Sequence, residues 1–251
     1  MLNREEEYTK MKKAEGQLWW YKILHEHVLE TMQSVSLSKE IKVLDAGCGT
    51  GGLLRFLGKE GYTNLKGFDL STYAVEASKF HGGYETVQLN VKDASTYFLH
   101  DYFDVIICND VLYFLPDTEL PHVVRGLLQL LNKDGILIIN LPAYNVFKGM
   151  HDVSVGIRKR WTYKRFKNLV DMAPLGYRVV QYYYWPLLLA PLILCARLFQ
   201  RMKMRFGAEI KSDVDVPPVV INKLFYTLTK AERFLPFRKI IGSSLFITIG
   251  R

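Results

Sequence analysis

The chain is predicted to be an α/β protein built on a parallel sheet with helices on both faces, and three observations predict it. Residues 43–52 read Val-Leu-Asp-Ala-Gly-Cys-Gly-Thr-Gly-Gly: an apolar strand, an acid, then the alternating glycines Gly47, Gly49 and Gly51, with a helical run at 53–59 behind them. Strand, glycine turn and helix in that order are how an open α/β sheet builds a nucleotide site at the carboxyl end of its first strand. Further runs rich in Val and Ile are bounded by helical stretches, the pattern of strands buried on both faces of a sheet. The second run ends in Asp69, about 20 residues past the glycines, a spacing used to hold ribose hydroxyls.

The elements follow in order. Residues 4–34 are helical in pattern, and a serine-bearing turn leads to the first strand at 41–46. Glycine lacks a Cβ, so the chain can turn sharply there and let a ligand touch the backbone before the helix at 51–60. A strand at 65–69 is followed by Ser71 or Thr72, either of which can cap the helix at 72–80. Strands at 86–91, 103–109 and 135–141 enclose a helix at 117–131. A helix at 162–173, a strand at 177–184, helical segments at 187–206 and 217–234, and a last strand at 244–250 complete the chain. With no internal repeat and no low-complexity linker, one α/β domain with decorations is expected. Its parts are a helical cap at 1–40, a core at 41–184, a helical insertion at 185–243 and the last strand at 244–251.

At 251 residues, 49% hydrophobic and 13% aromatic, the chain can bury a sizeable core and is not a disordered sequence. Cys48, Cys108 and Cys195 are scattered, with neither ligand nor redox spacing, so no metal is expected and a reducing compartment is the natural one. The opening residues are charged and aromatic and lack the apolar core of a signal peptide, so a cytoplasmic location is expected.

Asp45 decides between cofactor classes. At the end of the first strand its charge would oppose a nearby pyrophosphate, whereas it suits a cofactor with a cationic end. S-adenosylmethionine carries an ammonium and a sulfonium and no phosphate; a nicotinamide cofactor does not fit as well. Asp93 follows the third strand, where an acid can accept a hydrogen bond from an adenine amino group.

The chain resembles the class I S-adenosylmethionine-dependent methyltransferases, and most closely the small-molecule methyltransferases called type 11 or 12. The matching pieces are Leu44-Asp45-Ala46-Gly47-Cys48-Gly49-Thr50-Gly51, Phe68-Asp69-Leu70-Ser71, Lys92-Asp93-Ala94, the run from Phe103 to Leu112 and the run from Leu131 to Pro142. The resemblance implies a Rossmann-like sheet of seven strands, mostly parallel, whose last strand is antiparallel and inserted between the fifth and sixth. It implies that Asp45, Gly47 and Gly49 face the methionine end of S-adenosylmethionine. Asp69 with Leu70 would hold the ribose, Asp93 and Ala94 the adenine, and Asn109 would line the pocket near the transferable methyl. Gln17-Leu18-Trp19-Trp20-Tyr21 resembles a segment that packs over the cofactor in part of the group, which gives Trp20 and Tyr21 a cofactor role. Plain core packing is the alternative for the two tryptophans.

Methyl transfer is an in-line displacement in which the protein mainly aligns the nucleophile, and a nucleophile that must lose a proton needs a base. His151, shortly after the fifth strand, is the candidate, with Asp152 either orienting the imidazole or capping a turn. The resembling subset often shows a second histidine where Ile157 stands here. Tyr144 is a candidate for the wall of the substrate pocket, alongside His151. The remaining histidines read as surface or packing residues.

The net charge of +8 asks for a partner or a membrane. Cations gather at Arg158-Lys159-Arg160 and, after the apolar run 185–196, at Arg197, Arg201, Lys203 and Arg205. That run is shorter than the ~20 residues a membrane span needs. It reads as a helical lid over the substrate pocket, or as a peripheral membrane contact through 182–206; both fit a lipophilic acceptor. Nucleic acid is not expected as a partner, because the fourth strand ends in Asn109-Asp110-Val111-Leu112-Tyr113 with no Pro-Pro-aromatic sequence and no basic arm is appended. The expected function is methylation of a small, lipophilic metabolite such as a polyketide, aromatic polyene, isoprenoid or lipid-like acceptor, at oxygen first, then carbon, then nitrogen. A non-catalytic S-adenosylmethionine-binding accessory subunit is the alternative.

Overall fold

The structure, a computed structural model, describes residues 5–36, 38–82, 84–157, 159–172, 176–207 and 215–251. Its strands are β1 (Val43–Ala46), β2 (Leu65–Asp69), β3 (Glu85–Gln88), β4 (Phe103–Asn109), β5 (Leu131–Pro142), β6 (Arg178–Trp185) and β7 (Ser244–Gly250). The helices are α1 (Glu5–Glu15), α2 (Trp19–Val35), α3 (Gly52–Lys59), α4 (Thr72–Gly82), α5 (Ala94–Tyr97) and α6 (Leu120–Leu130). They continue as α7 (Met150–Val155), α8 (Tyr163–Asp171), α9 (Ala190–Arg205) and α10 (Val219–Ala231).

Strand sequence dictates the layering. Successive side chains of a strand point to opposite faces, so a strand apolar at every position must be covered twice. On one face Leu44, Ile106, Cys108, Leu137 and Ile139 join Phe68, Val124, Leu127 and Phe166. On the other, Val43, Val105, Ile107, Ile136 and Ile138 join Ile23, Val28, Met32, Leu54 and Leu57. The strands form one sheet in the order β3-β2-β1-β4-β5-β7-β6. The first five pair in parallel, and β7 lies antiparallel between β5 and β6. This is the seven-stranded arrangement that the resemblance implied. The order reverses beside β1, which sets a crevice beyond the carboxyl ends of β1 and β4.

The helical stretch expected over 4–34 is divided into two helices, α1 and α2. Gln17 and Leu18 both donate their amides to the carbonyl of Ala14, and Leu18 is extended, so the chain turns at Gly16. The new start is held from far away: Asn222 accepts the Trp19 amide at 2.9 Å and donates to the Gln17 carbonyl at 2.8 Å. α10 then packs along α2 through Trp19 edge-on to Phe225 and through Glu26, which pairs with Arg233 at 2.6 Å and Lys230 at 3.3 Å. The buried Glu232 accepts the amides of Leu187 and Leu188 at 2.7 and 3.0 Å, bracing the approach to α9.

A correction concerns the basic stretch before Trp161. Arg160 is not a surface cation but is 7% exposed. Its guanidinium grips the fully buried Asp152 in a two-pronged pair at 2.6 and 3.0 Å and donates to the carbonyls of Ala143 and Ser243. Asp152 also accepts the Gly149 amide at 2.9 Å, capping the start of α7. Lys159 is exposed to solvent in part and pairs with Asp117; Arg158 lies outside the described residues. One buried pair therefore ties the end of β5, α7 and the approach to β7. Removing one partner strands the other's charge in the interior, so Arg160→Met should lower unfolding free energy in urea by about 3–5 kcal/mol. Arg160→Lys, which keeps the charge without the fork, should recover only part of it.

Candidate active site

The glycine turn at the end of β1 is made by backbone that only glycine adopts at low cost. Gly47, Gly49 and Gly51 have φ of 91°, 52° and 81°. The amides of Gly47 and Cys48 both donate to the Phe68 carbonyl at 2.8 Å, and the Gly49 amide donates to Asp69 Oδ2 at 3.0 Å. A Cβ on Gly47 would lie 2.2 Å from Val111 Cγ2, and one on Gly49 2.5 Å from Met11 Cε. Side chains of the protein itself fill the space a Cβ would need, and both glycines line the cavity, so the turn presents bare backbone to it.

Around it stand buried carboxylates. Asp45 is pushed up to about 8, first by burial and then by the charges of Glu15 and Asp69. Burial raises Asp69 too, against hydrogen bonds from Ser71, Gly49 and Tyr8; the Tyr8 hydroxyl donates to Oδ1 at 3.0 Å. Burial likewise raises Glu15, which Thr50 at 2.7 Å and Arg55 at 2.9 Å partly offset. α1 brings Tyr8, Met11 and Glu15 across the turn, so it forms the roof of the site.

The crevice is a cavity of about 1050 Å³. Of the residues expected there, Trp20, Tyr21, Asp45, Gly47, Gly49, Asp69, Leu70, Asn109 and His151 line it. Asp93, Ala94 and Tyr144 are not on its wall: Asp93 is exposed and Ala94 buried at the start of α5, and the neighbouring Leu89, Asn90, Val91 and Lys92 take the wall instead. The Tyr144 hydroxyl donates to the Ile240 carbonyl at 2.7 Å, and its ring lies 4.7 Å from that of Tyr184. Trp20 stacks on Trp185 at 5.3 Å, so it serves wall and packing at once.

At the far end of the cavity, His151 projects from α7, while the Asp152 carboxylate is taken up by Arg160 and the helix cap. The sequence reading passed over Asp110. It sits at the end of β4 with φ of 56°, a left-handed conformation that costs about 1–3 kcal/mol in a residue other than glycine. Its Oδ2 accepts from Asn140 Nδ2 at 3.0 Å, and Asn140 Oδ1 accepts from Trp185 Nε1 at 3.0 Å. Burial, opposed by the Asn140 hydrogen bond and by Arg160, pushes Asp110 up to about 7. Beside it, Asn109 Oδ1 is buried without a hydrogen-bond partner among the described residues. A buried open acceptor, a bare glycine cradle and two carboxylates, Asp45 and Asp69, without an ion-pair partner among the described residues fit a cofactor with donor groups and a positive end.

Comparisons with known proteins agree. The family profile described as "Methyltransferase domain" matches residues 20–182. The chain is 27% identical over 116 residues to the ubiquinone biosynthesis O-methyltransferase of Neisseria meningitidis serogroup A, covering 44% of this chain and 48% of that protein. It is 26% identical over 131 residues to the malonyl-[acyl-carrier protein] O-methyltransferase of Bacillus cereus, covering 52% and 48%. The chain thus spans about half the length of these curated relatives. In fold it is similar to a SAM dependent methyltransferase from Archaeoglobus fulgidus, with a TM-score of 0.59 at 16% identity over 92% of this chain and 94% of that one. With the profile covering well over half its length, the chain belongs to the methyltransferase domain family, in the class I S-adenosylmethionine-dependent group.

Proposed function

We propose that this chain moves a methyl group from S-adenosylmethionine to a small, lipophilic metabolite, with oxygen the favoured acceptor atom, then carbon, then nitrogen. One observation carries the reading: a single cavity joins the anionic glycine turn to a second set of polar groups, Asp110 and His151, through apolar and aromatic walls. The relatives named above are both O-methyltransferases by name, which supports oxygen.

When bound, S-adenosylmethionine supplies an electrophilic methyl carbon on a sulfonium. Asp45 would give up its proton and accept the ammonium. Asp69 would accept from the ribose hydroxyls in place of Tyr8, and Leu70, Trp20 and Tyr21 would enclose the middle of the cofactor. Adenine contacts would fall to Leu89, Asn90 and Val91, with Asp93 and Ala94 directly after them in the chain. Asn109 Oδ1 would accept a donor hydrogen beside the reacting end. The acceptor's proton would go to Asp110, whose position is fixed by Asn140 and Trp185, with His151, which lines the same cavity, orienting the acceptor or sharing the proton. A cytoplasmic enzyme touching a membrane through 182–206 would meet such an acceptor there; among the described residues no helix is long and apolar enough to cross one.

Transfer of labelled methyl from S-adenosylmethionine into the organic phase of a metabolite extract tests the reading; an extract series that never takes up label, from protein that binds the cofactor, would count against it. Asp45 offers a sharper measure. It holds a proton below about 8 in the free protein and loses it to a cation, so binding should release about one proton at pH 7. Affinity should then tighten about tenfold per unit from pH 6 to 7.5. Calorimetry in buffers of different ionisation enthalpy reads both, and Asp45→Asn should show neither.

Asp110 must be ionised to act as base, so kcat/KM should rise with pH through about 7. Asp110→Asn should remove that limb and cost about 10²–10⁴-fold in rate while leaving cofactor affinity unchanged. His151→Ala should lower the rate with the limb retained; loss of the limb in this variant alone would move the base to His151.

A further inference from the structure

Helix α9 is oriented against the usual rule for a helix covering a core. Leu192, Cys195, Phe199, Met202 and Phe206 recur every three or four residues and fall within about 80° of one another around the axis. They form the outward stripe: Leu192 is 52% exposed, Phe199 56%, Met202 54% and Phe206 87%, with Cys195 exposed between them. The inward side is the polar one. Gln200 accepts the Met150 amide at 3.2 Å, Arg201 donates to the Val146 carbonyl at 2.7 Å, and Ile193 and Arg197 line the cavity. No Asp or Glu occurs between Pro186 and Gly207, a stretch with four cations. Lys203 lies over the Phe199 ring at 4.7 Å, and Arg205 is exposed on the other edge of the stripe.

We propose that α9 docks on an anionic lipid surface, with Leu192, Phe199, Met202 and Phe206 in the headgroup–acyl boundary and Lys203 and Arg205 at the lipid phosphates. The sign of the rim selects this occupant. A second copy seated on the stripe would bring the Lys203 and Arg205 edges of one α9 against those of another, and α9 itself carries no acid to set against them. A lipid phosphate layer supplies the opposite charge beside an apolar interior. Lysine and arginine stems can lie along the apolar surface while their heads stay at the phosphates. The helix is about 24 Å long at 1.5 Å per residue and lies along the boundary rather than through it. Its other face forms part of the cavity, so docking places the acceptor end beside the membrane. That purpose rests on the lipophilic-acceptor reading; docking itself does not, and is measured with neither acceptor nor cofactor present.

Co-sedimentation of the full chain with phosphatidylcholine vesicles, with and without phosphatidylglycerol, tests it. The chain should pellet with the anionic vesicles and less so as salt is raised. Phe199→Glu with Phe206→Glu should weaken binding about tenfold or more, and Lys203→Gln with Arg205→Gln should remove the preference for phosphatidylglycerol. All these side chains are solvent-exposed, so circular dichroism, urea unfolding and calorimetric binding of S-adenosylmethionine should match the parent. Absence of pelleting, or equal pelleting by the doubly acidic variant, would overturn the proposal. So would a dimer in light scattering that this variant converts to monomer while vesicle binding is absent. Loss of cofactor binding in every form, with vesicle binding intact, would instead strike the methyl-transfer reading.

Discussion

Everything in the cofactor half of the cavity follows from three carboxylates held out of water within one turn of chain and its roof. Asp45 cannot leave, because it ends a strand that is buried on both faces. Asp69 ends the neighbouring parallel strand, two residues beyond Gly67, the register partner of Asp45, and is fastened by the Gly49 and Ser71 amides. Glu15 arrives from α1 and is the member with a close cation, Arg55. Burial raises all three. A carboxyl whose folded value stands above its unfolded one keeps a proton that the unfolded chain has released, so folding loses free energy as pH climbs between the two values. A bound cation removes that penalty by letting the carboxylates ionise. The roof depends on the same groups: α1 is attached through Glu15 to Thr50 and Arg55 and through Tyr8 to Asp69, so the charges that demand a cation also hold the element that encloses it.

The acceptor half is set by strand register. β4 and β5 pair Asn109 with Asn140, and the Asp110 amide donates to the Asn140 carbonyl at 2.9 Å. Side chain follows backbone, so Asn140 also holds the Asp110 carboxylate while Trp185 on β6 fixes the amide of Asn140. The tryptophan is itself clamped between Trp20 and His27. A chain of packed groups thus runs from the N-terminal helices to the strained residue at the mouth of β4, and the strain is affordable because the register over-determines it.

The fold and the glycine turn of the candidate cofactor end were legible because their signals are local. Alternating apolar strands, a glycine turn and an acid at a strand end all lie within a few residues, and β2, β4 and β7 begin and end where the pattern placed them. The rest was written over long separations. Nothing near Glu15 shows that it will meet Thr50; the visible signal is Gly16, which breaks the helix, and the break is completed by Asn222. Arg160 looked like a member of a surface run because its partner, Asp152, stands eight residues earlier in a short helix, α7, that the pattern did not reveal. Asp110 was in plain view beside Asn109, but its left-handed backbone and its partner on β5 are tertiary facts. In α9 the periodicity was legible and its direction was not, because a stripe alone does not say whether protein or membrane lies against it.

Charge along the cavity explains why an uncharged acceptor suits it. At one end Asp45 and Asp69 have no ion-pair partner among the described residues, and Glu15 alone of the three carboxylates meets a cation, Arg55. At the other, the cations are already paired: Arg160 by Asp152, Lys159 by Asp117. An anionic acceptor would have to compete with Asp152 and Asp117 for these two cations to replace its lost water, at a desolvation cost that a neutral acceptor does not meet. A neutral, apolar acceptor loses little by entering, but it brings its proton with it, and that proton must be taken inside. Asp110, titrating near 7 because its surroundings are dry, is suited to that task in a way that a solvated carboxylate is not. Arg197 donates to Gln200 at 2.8 Å where α9 borders the cavity. The exposed cations Lys203 and Arg205 therefore lie beside the apolar stripe of α9, on the side of the helix away from the chamber where methyl transfer would occur.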